Sequence, residues 1–224
     1  MCGRFARATE LEAILRLLRL DTSELTELHP RYNVAPSQAV AAVREEDGRR
    51  ALVMLKWGLV PSWAKDVQIG YSLINARSET LVEKPSFRSA FKSRRCLIPA
   101  TSFYEWQKTG TKHKQPFSIG MKDGSVFAFA GLWERWKDQD DVEAPLIQSC
   151  TILTTDANAV VRPVHDRMPV IVAPANFAAW LDPQTAAANL HQMLRAYAAE
   201  EMTAVPVGKY VNNTRNEGPQ CLAS

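Results

Sequence analysis

No apolar run in the sequence approaches the ~18–20 residues that a membrane-spanning helix needs, so none is expected. The first residues also lack the unbroken apolar stretch of a secretory signal, because Arg4, Arg7 and Glu10 interrupt it. Cysteine is scarce and scattered, with four residues at positions 2, 96, 150 and 221. No two are spaced for a zinc cluster or for the framework of a small disulfide-rich domain. Four reduced thiols are therefore expected, with Cys96 and Cys150 as inert core in strand-like apolar runs. No Cys or His spacing offers a metal site, and no metal or other cofactor is expected. Charge of one sign is not in large excess: 27 Lys and Arg against 24 Asp and Glu leave +3. That balance permits an anionic partner such as nucleic acid without demanding one. Internal repeats and low-complexity segments are missing too. A soluble, cytoplasmic protein with no membrane partner follows. With 46% hydrophobic residues, the 224-residue chain suits one domain over 1–224 around a substantial core.

Local patterns supply the elements. Thr9 and Glu12 fit a capping box, and Leu11, Ile14, Leu15 and Leu18 follow at helical spacing, predicting an amphipathic helix over roughly 9–20. Pro36 disfavours helix at Ala35, so Arg31–Pro36 reads as extended. Asp47-Gly48 and Asp123-Gly124 each lie between apolar runs and predict two hairpins. Cys96–Pro99 and Phe103–Trp106 read as a strand pair or one bent strand; Ile147–Thr154 and Met168–Val172 read as two further strands. Ser86–Ser93, Asn176–Leu181 and Ala186–Ala199 read as helices. Strands outnumber helices, and the β-α alternation of a doubly wound sheet is lacking. The predicted class is α+β: a curled, largely antiparallel, barrel-like sheet with helices packed outside.

The chemistry begins at Met1-Cys2-Gly3-Arg4. Removal of Met1 leaves Cys2 with a free α-amine and a thiol two carbons away. A terminal amine titrates near ~7.7–8.0 and a free thiol near ~8.5, so much of the amine is nucleophilic at neutral pH. Such an aminothiol condenses with an aldehyde to a Schiff base, and its thiol then closes a thiazolidine. A chain can also begin Met-Cys by chance. Asn75, in Leu73–Glu79, has donor and acceptor groups suited to a carbonyl or sugar oxygen, and Arg77 has a fork suited to phosphate; a loop Asn and a surface Arg are the plainer readings. Alternation puts Glu105 on one face with Phe103, and Tyr104 with Trp106 on the other. Aromatic surroundings would raise its pKa and suit it to proton transfer, unless it simply faces solvent. His165, in the Pro-bounded Val164–Pro169, has the ordinary pKa of ~6.5 that fits a proton shuttle, though a lone His is often a surface cap. Asp166 is its neighbour in sequence, which alone does not make a dyad. Trp57, Trp106, Trp133 and Trp180 are expected in the core; Trp63, among Pro, Ser, Ala, Lys and Asp, is expected outside. An exposed aromatic is a platform for an unstacked base, worth ~1–3 kcal/mol.

Six segments stand together in one order: Met1–Phe5, Arg31–Pro36, Trp57–Leu59, Ile74–Glu79, Phe103–Trp106 and His165–Pro169. With them the chain resembles the SOS-response-associated peptidase (SRAP) family, which processes abasic sites in single-stranded DNA, from Cys2 to about Asn213. The resemblance implies the SRAP fold and a covalent crosslink, a thiazolidine between Cys2 and the ring-opened abasic deoxyribose, that shields the lesion in the DNA damage response. It implies that Asn75 holds the opened sugar, Glu105 assists proton transfer, and His165 helps open the ring and reverse the crosslink. Arg4, Arg77 and Arg167 match phosphate-binding positions, Trp63 a stacking position, and Pro36 and Thr154 the lining of the DNA groove. The implied partner is single-stranded DNA containing abasic sites, bound by a monomer that is nucleoid-associated when on DNA. The family can pair two Trp at Trp63; here Ala64 follows, so less stacking or a different DNA geometry is expected. The peptidase in the family's name is expected to concern only the Met1–Cys2 bond.

Two other classes share features. N-terminal-nucleophile hydrolases, including glutamine amidotransferase domains, also begin Met-Cys-Gly, but continue with a small apolar residue and Gly where Arg4-Phe5 stands here. A non-covalent single-stranded DNA-binding module would use the basic and aromatic residues without Cys2.

Overall fold

Period-two alternation along the strands divides the apolar residues between two cores. The computed structural model describes residues 2–20, 23, 25–110, 113–141 and 143–224; Met1 lies outside them. In chain order the strands are β1 (Phe5–Arg7), β2 (Arg31–Val34), β3 (Ala39–Glu46), β4 (Arg49–Trp57), β5 (Asn75–Arg77), β6 (Arg95–Ala100), β7 (Ser102–Lys108), β8 (Lys114–Met121), β9 (Phe127–Trp136), β10 (Ile147–Asp156), β11 (Arg167–Pro169), β12 (Ile171–Val172) and β13 (Met202–Pro206). The α-helices are α1 (Leu11–Leu18), α2 (Pro85–Ser93), α3 (Phe177–Leu181) and α4 (Ala187–Met193). Val40, Ala42, Ile98 and Phe129 face one core together with Cys2, Phe5, Trp57 and Phe103. Their neighbours Ala41, Val43, Leu97 and Ala130 face the other, under helix residues such as Ile14, Phe87, Phe91, Trp180 and Leu190. The helices therefore cover the outside of a sheet whose inside encloses Cys2.

Two sheets build this arrangement. One is five-stranded, in the order β13-β8-β7-β1-β2. The eight-stranded sheet runs β11-β10-β4-β3-β6-β9-β12, and β10 also pairs with β9, so β10-β4-β3-β6-β9 closes on itself. The class is the expected α+β with a curled, barrel-like sheet. Pairing is antiparallel except where β10 runs parallel to β4 and β5.

Asp47-Gly48 forms the expected hairpin between β3 and β4, with φ of 51° and 72° at its two loop residues. Both positive values match the strands' twist, and Gly accepts the second without a Cβ penalty. Asp123-Gly124 does not form a hairpin: β8 pairs with β7 and β13, while β9 pairs with β6, β10 and β12. That turn carries the chain from one sheet to the other. Of the two readings of Cys96–Trp106, the bent strand is correct. Thr101 makes the corner between β6 and β7, its N–H donating to Ala6 O at 2.8 Å and its Oγ1 accepting from Ala8 N at 3.0 Å.

The first helix is shorter than expected, and the capping box is not formed. Glu10 occupies the N-cap with extended backbone (ψ 165°) and makes no side-chain cap bond. A Thr9 cap would need Glu10 to be helical. The helix ends where Arg19 turns left-handed (φ 52°) and Leu20 N–H returns to Leu15 O at 2.9 Å. The last helix likewise stops at Met193 rather than Ala199. The expected strand at Met168–Val172 is two short ones: β11 pairs with β10 and β12 with β9. A residue without a sequence signal, Arg95, is buried and donates to Phe91 O, Lys92 O, Trp180 O and Asp182 O at 2.6–2.7 Å, tying the C-terminal ends of α2 and α3 together.

Candidate active site

β1 pairs with β7 at Phe5↔Phe103 and Ala6↔Ser102, and Tyr104 N–H donates to Arg4 O at 2.9 Å. Continuing that register lays Gly3 beside Glu105. Alternation along β7 turns Tyr104 into a cluster with Ala6, Val207 and Val211, and Phe103 into the core that holds Cys2. Glu105 shares the Phe103 face, as the period-two reading expects. Cys2 itself is buried, with Sγ 3.9 Å from Arg4 O. Burial, reinforced by the Glu105 charge, pushes the Cys2 thiol well above its ordinary value. It is a thiol rather than a thiolate at neutral pH.

The other wall comes from β10, which has β9 and then β11 along one edge and β4 and then β5 along the other. β5 places Asn75 opposite Ile152 and Arg77 opposite Thr154. Trp57 Nε1 fixes the residue before β5, donating to Ile74 O at 2.8 Å. Asn75 Nδ2 then donates to Cys2 O at 2.8 Å. Its Oδ1 is buried and meets no hydrogen-bond donor among the described residues. That leaves an acceptor directed into the site for a ligand O–H or N–H.

His165 ends the loop between β10 and β11. Asn158 Oδ1 caps Val160 N–H and Val161 N–H at 3.1 and 3.0 Å, and His165 N–H donates to Val161 O at 2.9 Å. The ring, with 27% of its side chain exposed, brings Nε2 to 4.0 Å from Glu105 Oε2. Its Nδ1 is 2.9 Å from Asp166 Oδ1 and 3.0 Å from the Arg167 backbone N. Burial raises the Glu105 carboxyl above the ordinary carboxylate range. The site therefore collects a thiol, a carboxyl whose hold on its proton is strengthened by burial, an imidazole and an amide with a spare acceptor, a set fitted to proton transfer at one electrophilic carbon.

The raised Glu105 carboxyl makes a stability prediction. The folded protein holds this proton more tightly than the unfolded chain does. Stability is therefore lost as pH rises above the unfolded carboxyl's value of ~4.3. Glu105→Gln removes the loss, so its Tm relative to wild type should climb between about pH 4 and about pH 7. Calorimetry across that range checks it, and a relative Tm that falls instead would show a stabilised carboxylate.

The expected DNA-binding residues are placed differently from one another. Trp63 is 54% exposed, on a loop whose Ala64 is buried and whose Ala64 O accepts from Trp136 Nε1 at 2.6 Å. That loop is clamped at its base. Gly58 (φ 129°) faces Gly70 so closely that a Cβ on either would stand 2.7 Å from the other's carbonyl oxygen. Trp57, Trp133 and Trp180 are buried, while Trp106 is partly covered, with the Arg4 guanidinium 5.6 Å from its ring centre. Arg77 is exposed and Pro36 half-buried, in the turn where Ser37 N–H donates to Trp57 O at 2.8 Å. The Thr154 side chain is buried, with Oγ1 3.5 Å from Ala76 O.

Arg4 and Arg167 are engaged within the fold. Arg4 Nη1 donates to Asn33 Oδ1 at 2.7 Å and Val211 O at 2.9 Å. Arg167 meets Glu79 through two bonds of 2.7 and 2.9 Å, Asp156 at 2.8 Å and Thr154 O at 2.8 Å. The guanidinium in turn lowers the Glu79 carboxyl below its ordinary value. Asn33, Glu79 and Asp156 were not singled out by sequence; Asn33, at 0% exposed, is a polar residue whose role is set by distant carbonyls and by Arg4.

Comparison with known proteins agrees with this arrangement. Residues 1–214 match the family described as SOS response associated peptidase (SRAP). The abasic site processing protein YoqW of Bacillus subtilis is 43% identical over 226 residues, covering 100% of both chains. The abasic site processing protein HMCES of Xenopus tropicalis is 30% identical over 229 residues, covering 87% of this chain and 66% of its own. A crystal structure of a Bacteroides thetaiotaomicron protein superposes with a TM-score of 0.87 at 26% identity, over 99% of this chain and 98% of that one. With the Cys2 cluster, the curled sheet and the whole-length similarity in agreement, the chain belongs to the SOS response associated peptidase family.

Proposed function

We propose that this protein processes abasic sites in single-stranded DNA by joining Cys2 covalently to the ring-opened deoxyribose. The observation that carries the reading is the meeting around Cys2 of Asn75, whose buried Oδ1 meets no donor among the described residues, with the buried Glu105 and the His165 ring. The similarity to proteins named for abasic site processing supports it. Removal of Met1, by self-cleavage or by an aminopeptidase, frees the amine. While Met1 stays attached, Cys2 has a thiol but no amine.

In the reaction, His165 takes the sugar's C1′ hydroxyl proton as the C1′–O4′ bond breaks, and Glu105 protonates O4′; the proton then passes from His165 back to Glu105. The Cys2 amine adds to the aldehyde to give a carbinolamine. Glu105 protonates the hydroxyl, which leaves as water, and an iminium remains. Glu105, now a carboxylate, takes the thiol proton as sulfur bonds to the iminium carbon. The sum is aldehyde plus aminothiol giving thiazolidine plus water. Burial serves this sequence twice, strengthening the hold of Glu105 on a proton for the first transfer and keeping the proton on sulfur until the last. Asn75 Oδ1 accepts from a hydroxyl of the opened sugar. Arg77 supplies cationic charge for flanking phosphates and Trp63 a face for a neighbouring base. Arg4 and Arg167 stand at phosphate-binding positions by resemblance, with guanidiniums bonded within the fold, and Pro36 and Thr154 at the lining of the DNA groove.

Met1-processed protein incubated with single-stranded DNA bearing one abasic site should give a heat-stable adduct of protein plus DNA minus one water by mass. Undamaged DNA should give none. A processed sample that forms no adduct would refute the proposed function.

A further inference from the structure

The Arg167 guanidinium is saturated by the fold. Nη1 donates to Glu79 Oε1 at 2.7 Å and Asp156 Oδ1 at 2.8 Å, and Nη2 donates to Glu79 Oε2 at 2.9 Å and Thr154 O at 2.8 Å. Those bonds engage every Nη hydrogen. The remaining donor, Nε–H, is buried and meets no acceptor among the described residues, so it presents no outward edge to a ligand. The whole side chain is only 10% exposed. A phosphate can therefore bond this guanidinium only when one of its present acceptors leaves. We propose that Asp156 is a stand-in for a backbone phosphate of single-stranded DNA: it occupies the phosphate seat on Arg167 Nη1 in the free protein and yields that seat when DNA binds. This rests on the proposed reading of the protein as one that binds single-stranded DNA.

Among the acceptors, Asp156 is the one able to leave. Thr154 is buried in β10, and the sheet fixes its carbonyl. Glu79 holds the guanidinium through two bonds in the fork geometry that suits Arg, whereas Asp156 holds it through one. The Asp156 side chain is 79% exposed against 48% for Glu79, so its carboxylate turns into water at little cost. The seat also lies beside the other expected phosphate contact. β10 sets Asp156 opposite Arg167 on β11 and, two residues earlier, Thr154 opposite the exposed Arg77 on β5. Both cations thus flank the same end of β10. Charge gives the consequence. Glu79, Arg167 and Asp156 together carry one net negative charge, which repels phosphate. Once Asp156 turns away, the incoming phosphate replaces a group of its own charge, and Glu79 keeps the fork oriented. Asp156 thereby sets the affinity for the strand.

The test is Asp156→Asn, read as equilibrium binding of undamaged single-stranded DNA, so that no crosslink enters the measurement. The amide keeps the size of the carboxylate and removes its charge. Affinity should rise about threefold to fivefold at low salt, the scale of one exposed ion pair, and the gain should shrink as salt is added. In an Arg167→Gln background the gain should fall by at least about twofold, because the seat itself is gone. An unchanged or lower affinity in Asp156→Asn, or an undiminished gain without Arg167, would overturn the proposal. A structure of the wild-type complex decides the matter without relying on the fold of Arg167→Gln. A phosphate oxygen should lie about 3 Å from Arg167 Nη1, with Asp156 Oδ1 more than about 4 Å away. Asp156 still bonded to Nη1 in that complex would equally overturn the proposal. Failure of wild type and Asp156→Asn alike to bind single-stranded DNA would refute the DNA-binding reading instead.

Discussion

Cys2→Ser, with Met1 removed, should lose heat-stable adduct by at least roughly 100-fold while keeping an adduct that borohydride traps. The substitution leaves the α-amine in place, so Schiff-base formation is preserved. It changes the atom that closes the ring. A serine hydroxyl is a far weaker nucleophile than a thiol, and the oxygen ring it would form reopens readily, so the iminium is left to hydrolyse on heating. Protein that retains Met1 should also give no heat-stable adduct, because its free amine belongs to Met1 and the Cys2 thiol is not placed on the adjacent carbon to close a five-membered ring. The two variants together separate loss of the thiol from loss of the 1,2-aminothiol arrangement, which Cys2→Ala alone cannot do. Gel shifts with and without borohydride, before and after heating, give the result. Equal heat-stable adduct from Cys2→Ser and wild type would eliminate the thiol from the product.

Asn33→Asp is expected to cost about 3–5 kcal/mol of stability, although Asp is the same size as Asn. Asn33 is buried, and its Nδ2 lies 3.4, 3.0 and 2.8 Å from the carbonyl oxygens of Val211, Asn213 and Asn216. Its Oδ1 accepts from Arg4. The aspartate would replace a donor with an oxygen facing those three oxygens, in a place with no exposure to solvent. Arg4 can neutralise one side of the carboxylate but cannot satisfy the carbonyls on the other. Chemical denaturation should show the loss, and hydrogen exchange should rise first in residues 209–222, which these bonds fasten to β1 and β2. A change below about 1 kcal/mol would mean that the segment is held by other contacts.

The parts of this molecule that sequence made legible depend on short-range rules. Asp47-Gly48 was readable because two-residue loops demand its backbone angles. The face of Glu105 was readable because alternation is strict along β7. The same local signal misled at Asp123-Gly124: a tight turn says that the chain reverses, not which sheet receives it, and β9 finds its partners in β6 and β10. The capping box failed for a comparable reason, since the extended backbone at Glu10 overrides the favourable residue at Thr9. In the site, Cys2, Asn75, Glu105 and His165 stood out as chemical types and as family positions. Their supports did not. Glu79 lies 88 positions from Arg167, and the three carbonyls that hold Asn33 lie nearly 180 positions or more away. Nothing local marks those residues as partners.

The fastening of β1 also sets an order of events during synthesis. Its strand partner β7 begins about a hundred residues after Cys2, and the carbonyls that hold Arg4 and Asn33 come from residues 211–216. At roughly 5–20 residues per second, the ribosome needs on the order of 10–40 s to supply them. Through that interval β1 has only β2 to pair with, and the first residues stay accessible to a processing enzyme. Once the last segment arrives, Cys2 is enclosed. Removal of Met1 by an aminopeptidase is therefore favoured while the chain is still being made, and a late start leaves the Met1–Cys2 bond to cleavage by the folded protein itself.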